Sequence, residues 1–463
     1  MSEGGRVAGS FRDRAGQVHL VDGRVLRSVA AGKAAKAYEE ARDAGLYARL
    51  VKKGLLVGLE EVEAPSGLAD DGVAYWLEHP RLPFISHPYE WPFALWKKAA
   101  LTQLRVHLEA LKDGFTLSDA TAYNIQFDGV RPLFIDHLSI QPYREGEAWI
   151  GHYQFVSQFL GPLLMWVKLG VAPNHWMRGN LEGIAPEDLA KLLPWKSKLS
   201  PTVLAHVVGL ASLQKRRMAT SHEEAREARK DARLPKARFV AILEGLKAYI
   251  EGLQPPGGES VWGDYADNTS YSGEERRAKA AFIGKLAADT RGLTFDIGCN
   301  SGDYSLAAIE AGADRVIGFD FDHNALNLAV SRAQAGKIAF TPLWLDAANP
   351  SPDQGWAQRE REGFARRVRG DAMVALAVVH HIAIGRNVPL DEVVGWLMDM
   401  APAGIIEFPD KEDAMVKTLL AMREDIFDDY TESDFRKAVE KRGKIVDELR
   451  LVGGHRLLVR YQR

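Results

Sequence analysis

Leu293-Thr-Phe-Asp-Ile-Gly-Cys-Asn-Ser-Gly-Asp-Tyr-Ser-Leu306 decides the fold of the second half of this chain. An apolar strand runs into the turn Gly298-Cys299-Asn300-Ser301-Gly302, and helix-forming sequence follows. Glycine admits close approach of backbone amides to a ligand, and the helix N-terminus adds oriented N–H donors. The next strand, Val316-Ile317-Gly318-Phe319, ends in Asp320, about 20 residues after the glycine turn, where a carboxylate suits ribose hydroxyls. A nicotinamide dinucleotide asks for Gly-x-Gly-x-x-Gly. Here Asn300 takes the second glycine position, no third glycine follows, and Asp296 lies in the strand end. Those departures favour a ligand with a ribose and a cation but no phosphate.

Outward from the turn, strands are expected at 294–297, 315–319, 338–345, 372–379 and 404–408, with helical patterns between them. Regular alternation predicts an α/β, doubly wound parallel sheet. Residues 445–451 and 455–461, split by Gly453-Gly454, predict a terminal antiparallel hairpin. Asp346 follows the third strand and His380-His381 the fourth; Asn349-Pro350-Ser351-Pro352 reads as a loop.

This half, from about residue 261 onward, resembles the class I S-adenosylmethionine-dependent methyltransferases, whose fold is Rossmann-like. The resemblance implies that the Gly298, Asn300 and Gly302 turn receives S-adenosylmethionine. It also implies that Asp296 positions the amino-acid part, Asp320 binds the ribose, Phe321 packs on adenine, and Asp346 with Ala347 meets the adenine amino group. Methyl transfer would be an in-line displacement, in which the protein aligns nucleophile, methyl and sulfur and excludes water. His381 or His380 is the candidate base, although His-His at this place is also a structural feature of the wider family. Trp262, Tyr265 and Tyr271 form either a lid or helix packing.

The first half ends at Gln254-Pro255-Pro256-Gly257-Gly258, which cannot continue the helix before it. Residues 17–27 alternate around Asp22-Gly23 and predict a hairpin. Helix is expected over 30–53, strand near 55–62 and 73–78, then a long helix over 93–112 and mostly helix to Gly252, apart from 124–140. The charge-rich stretch 215–238 reads as a solvated helix or loop. Asp119, Asn124 and Asp136 resemble the loops of protein-kinase-like phosphotransferases. That likeness implies a kinase-like α+β domain, with Asp119 as base and Asn124 and Asp136 as magnesium ligands for Mg-ATP. Against it, Leu117-Ser118 precedes the Asp, no glycine-rich loop is evident, and only Arg27, Lys52 and Lys53 offer a phosphate-binding cation.

The expected domains are 1–254, with a strand-rich lobe to about 90 and a helical lobe from about 91, and 259–463; 463 residues suit two or three domains. A single Cys excludes a disulfide framework or a multi-Cys metal site. A net charge of −3 gives no reason to expect nucleic acid. The N-terminus lacks a signal-peptide apolar run, and 155–171 reads as a buried helix, so a cytoplasmic protein without membrane contact is expected. Nearly the whole chain, including Pro88-Tyr89-Glu90-Trp91, is similar to a bacterial methyltransferase family related to host-specificity nodulation proteins. That similarity implies a small-molecule or glycan acceptor at O or N. A bifunctional kinase–methyltransferase and a cofactor-binding scaffold without turnover stay open, as does the oligomeric state.

Overall fold

A computed structural model describes residues 5–68, 72–219, 233–255, 273–421 and 423–463. The chain divides into two compact units: Met1–Phe127 with Pro132–Gly257 and Gln354–Arg361, and Asp128–Arg131 with Gly258–Asp353 and Glu362–Arg463. Trp262, Tyr265, Tyr271, residues 256–258 and most of the charged stretch after 215 lie outside the described residues.

The first unit opens with a five-stranded antiparallel sheet, in the order Gly5–Arg6, Val18–Val21, Arg24–Ala30, Val73–His79, Glu60–Val62. Asp22 and Gly23, at φ +49° and +77°, make the two-residue turn whose twist suits a hairpin. The helical span expected over 30–53 is two helices, Lys33–Asp43 and Leu46–Lys52, because Gly45 turns left-handed at φ +69° between them. The strand expected over 55–62 shrinks to Glu60–Val62. Helix Phe93–Lys112 is buried on most of its circumference, with Phe93, Trp96, Ala100, Leu104, Val106 and Leu111 all in the core. Short strands Phe115–Leu117, Ile125–Asp128 and Arg131–Phe134, whose turn residues Asp128–Arg131 group with the second unit, and Ile140–Pro142 then frame the Asp119–Asp136 loops. Over 152–169 a helix runs with one π-turn, Val156–Leu160, whose five residues are all buried.

In the second unit, helix α1 (Gly273–Thr290) leads into strand β1 (Leu293–Ile297), helix α2 (Asp303–Glu310), β2 (Arg315–Asp320), helix α3 (His323–Gly336) and β3 (Phe340–Trp344). Then come β4 (Ala372–Ala375), the short helix α4 (Val379–Ala383), helix α5 (Leu390–Met398), β5 (Ala403–Pro409), β6 (Lys444–Arg450) and β7 (Arg456–Gln462). The sheet order is β3-β2-β1-β4-β5-β7-β6. Strands β1–β5 pair in parallel, and β7 enters antiparallel between β5 and β6. This is a Rossmann-like, doubly wound sheet. All residues of β3, β4 and β5 are buried, as strands covered on both faces require. The strand order reverses between β1 and β4, and a crevice at such a switch point opens beyond the carboxyl ends of the strands. Register fixes what reaches it: Ile297 lies opposite both Phe319 and Ala375, so Gly298, Asp320 and Leu376 leave the sheet at one level.

The strand expected over 372–379 stops at Ala375. Ala377 turns at φ +53°, and α4 carries both histidines instead. Residues 349–352 form a loop. Among the described residues no helix is long and apolar enough to cross a membrane.

Candidate functional site

A cleft of about 740 Å³ opens at the carboxyl ends of β1, β2 and β4. Its floor is the turn after β1. Gly298 and Gly302 adopt φ of +81° and +89°. A Cβ on Gly298 would lie 2.5 Å from Val378 Cγ2, and one on Gly302 would lie 2.5 Å from the Phe340 ring. Asn300 is also left-handed, at φ +47°, and its Oδ1 accepts from the Ser301 amide at 2.7 Å. That local bond explains how a residue with a side chain fills the second glycine position.

Asp320, at the end of β2, accepts from the Asn300 amide at 2.8 Å and from the Asp322 amide at 2.8 Å. The carboxylate thus braces the glycine turn while lining the cleft. Burial pushes its pKa up, against the pull of those amides. Phe321 is 52% exposed, with its ring 5.9 Å from that of Trp344. On the same wall stand Asp346, which accepts from the Ala348 amide at 3.1 Å, and Ala347. Asp296 and Gly302 are not among the lining residues. Asp296 is buried, accepts from Ser305 Oγ at 2.6 Å, and is pushed up to about 7 by burial with a contribution from Asp320.

The two histidines part company. His381 lines the cleft and is lowered to about 4 by burial and by Arg456. His380 is fully buried and off the wall, its ring 4.1 Å from that of His381. Burial holds it neutral, and neither of its nitrogens has a hydrogen-bond partner among the described residues.

Sequence reasoning missed a buried charge network beside the cleft. Glu407 of β5, fully buried, accepts from Lys279 Nζ at 2.8 Å, Arg456 Nη1 at 3.3 Å and the Ala377 amide at 2.9 Å. Arg456 also forks onto Asp413 at 2.6 and 3.0 Å. Lys279 lines the cleft from α1 and approaches the Tyr304 ring at 5.9 Å. Glu407 is held below its ordinary range: burial pushes it up, and Lys279 and Arg456 outweigh that. The available signal was a lone acid inside the apolar run Gly404-Ile-Ile-Glu-Phe408.

In the first unit, Asp119, Asn124 and Asp136 come together. Asn124 Nδ2 donates to Asp119 Oδ2 at 3.3 Å and Asp136 Oδ2 at 3.2 Å. Gln154 and Gln158 fix the loop by accepting from the Ala120 amide and Thr121 Oγ1, each at 2.8 Å. Arg27 Nη1 reaches Asp136 Oδ1 at 2.7 Å. Lys53 instead pairs with Glu109.

No family model matches the chain. The nodulation protein NoeA of Rhizobium meliloti strain 1021 is 45% identical over 463 residues, covering 99% of this chain and 96% of the relative. Solved structures give weaker likenesses. Magnesium protoporphyrin IX methyltransferase from Synechocystis PCC 6803 with bound SAM shares 18% identity over 41% of this chain and 79% of its own, at a TM-score of 0.29. The bifunctional kinase–methyltransferase WbdD shares 18% over 41% of this chain and 38% of its own, also at 0.29. The ribosomal protein L11 methylase of Lactobacillus delbrueckii subsp. bulgaricus shares 15% over 41% and 79%, at 0.27.

Proposed function

We propose, for a chain that belongs to the family of the nodulation protein NoeA, that its second unit is an S-adenosylmethionine-dependent methyltransferase. The observation that carries this reading is Asp320 beside a left-handed glycine turn at the sheet's switch point, with a cleft of about 740 Å³ above it. The residues fit the cofactor. Gly298 lines the cleft where a Cβ would collide with Val378, and the cleft-lining acids Asp320 and Asp346 offer acceptors to hydroxyls and an amino group. Exposed Phe321 offers an aromatic face to adenine. Asp296, buried beneath the turn, orients the amino-acid part through water. Bound there, S-adenosylmethionine supplies a methyl group on a sulfonium leaving group.

The chain's own work is alignment and proton handling. His381, neutral at physiological pH, stands on the cleft wall to accept a proton from an acceptor hydroxyl or amine. His380 backs its ring rather than meeting the acceptor. The acceptor class is a small molecule or glycan rather than nucleic acid, handled in the cytoplasm without membrane contact. The first unit reads as a kinase-like α+β unit, supported by a sheet followed by the 20-residue helix and then the Asp119–Asp136 loops. The convergence of Asp119, Asn124 and Asp136 raises a second reading, a bifunctional kinase–methyltransferase, which the pairing of Asp136 with Arg27 opposes.

The test is transfer of tritiated methyl from S-adenosylmethionine to a panel of glycans, phenols and amines. Label on an acceptor O or N, lost in His381→Gln, supports the reading. S-adenosylhomocysteine binding without transfer to any member favours a cofactor-binding scaffold.

A further inference from the structure

Asp136 of the first unit meets a cation that the chain itself provides, the guanidinium of Arg27. Phosphotransfer would need Asn124 and Asp136 to turn oxygens toward a divalent ion. Both oxygens of Asp136 are engaged: Oδ1 by Arg27 Nη1 at 2.7 Å and Oδ2 by Asn124 Nδ2 at 3.2 Å. Asn124 presents its amino group, not its carbonyl, because it stands between two carboxylates. Only a turned-over amide would offer a metal its carbonyl oxygen.

The guanidinium side is closed as well. The Arg27 side chain is only 9% exposed, and Asp13 Oδ2 lies 3.6 Å from its Nη1. Asp13 is brought there by the stretch 15–17, which pairs with the strand bearing Arg27: Ala30 N to Ala15 O at 2.7 Å and Ser28 N to Gln17 O at 2.9 Å. Gly16 makes this approach possible, since a Cβ there would lie 1.9 Å from Ser28 O. A phosphate seeking Arg27 would meet the carboxylate of Asp13.

We propose that Arg27 is the resident counter-ion of the Asp119–Asn124–Asp136 constellation, so that the first unit takes neither a divalent cation nor its ATP complex. This inference does not depend on the methyltransferase reading. It turns down the bifunctional reading, and it leaves the first unit a nucleotide-independent part of the enzyme.

The experiment titrates the full-length protein with Mn²⁺, alone and with ATP, following free Mn²⁺ by electron paramagnetic resonance and the complex by calorimetry. Wild type shows no saturable binding up to about 1 mM. Arg27→Met keeps the stem length and removes the charge. It gains a Mn²⁺ site at least about tenfold tighter than any in wild type, and the site disappears in Arg27→Met/Asp136→Asn. Saturable Mn-ATP binding by wild type that is lost in Asp136→Ala overturns the proposal. So does an Arg27→Met protein with an unchanged circular dichroism spectrum and no new metal site. Should Arg27→Met not fold, the wild-type titration alone still decides.

Discussion

Lys279 and Glu407 are 1% and 0% exposed and meet at 2.8 Å. Their pairing gives the sharpest energetic prediction. Removing one partner of a buried pair leaves an uncompensated charge and costs about 3–5 kcal/mol. Lys279→Met falls at the lower end, because Arg456 remains 3.3 Å from Glu407. Glu407→Leu costs more. It strands the ammonium and also leaves the Ala377 amide, now bonded at 2.9 Å, without an acceptor, adding about 1–3 kcal/mol. The double variant removes both charges and keeps the Arg456–Asp413 fork at 2.6 and 3.0 Å. Its cost should fall short of the summed singles by about 2–3 kcal/mol. Native-state hydrogen exchange on β5 and on the loop at Ala377, in the full-length chain, reads the local opening free energy. Single variants costing under about 1 kcal/mol, or effects additive within about 0.5 kcal/mol, would refute the reasoning.

Other outcomes follow from the cleft. Gly298→Ala places a methyl 2.5 Å from Val378 Cγ2 at φ +81°, so strain and overpacking together should destabilise the second unit by about 2–4 kcal/mol, visible as faster exchange in β1. Asp296, pushed up to about 7 from an ordinary 3.8 by burial, binds its proton more tightly folded than unfolded. Its contribution is therefore fully present below about pH 4 and is lost as pH rises toward 7, by up to about 4 kcal/mol; the pH slope of exchange protection should flatten in Asp296→Asn. His381→Gln should lower methyl-transfer kcat by about 10²–10⁴ while changing S-adenosylhomocysteine affinity less than threefold. A calorimetric loss matching the loss of turnover would instead make His381 a binding residue.

What was legible in the sequence was local. The turn at Gly298, the acid ending β2 and the Asp22-Gly23 hairpin each follow from a few adjacent residues whose backbone needs are specific. The 20-residue run Phe93–Lys112, unbroken by proline or glycine, is long enough to mark a helix. The likeness to nodulation-related proteins likewise shows in the full-length match to NoeA. What was not legible depends on partners far along the chain. Lys279 and Glu407 stand 128 positions apart, and nothing near either residue names the other. The end of β4 was misread because Ala375-Leu-Ala-Val-Val379 is uniformly apolar, and only Ala377, turning left-handed with its amide on Glu407, breaks it. Arg27 was visible only as one cation among several, since its pairing with Asp136 spans 109 positions.

The central claim rests on Asp320, and calorimetry with S-adenosylhomocysteine tests it most directly. Wild type should bind, and Asp320→Ala should weaken binding at least about 100-fold, since the two charge-assisted hydrogen bonds this reading gives Asp320 to the ribose hydroxyls, at about 1.5–3 kcal/mol each, would be lost. Absence of binding by a folded wild type, or an Asp320→Ala affinity equal to wild type, would contradict the account.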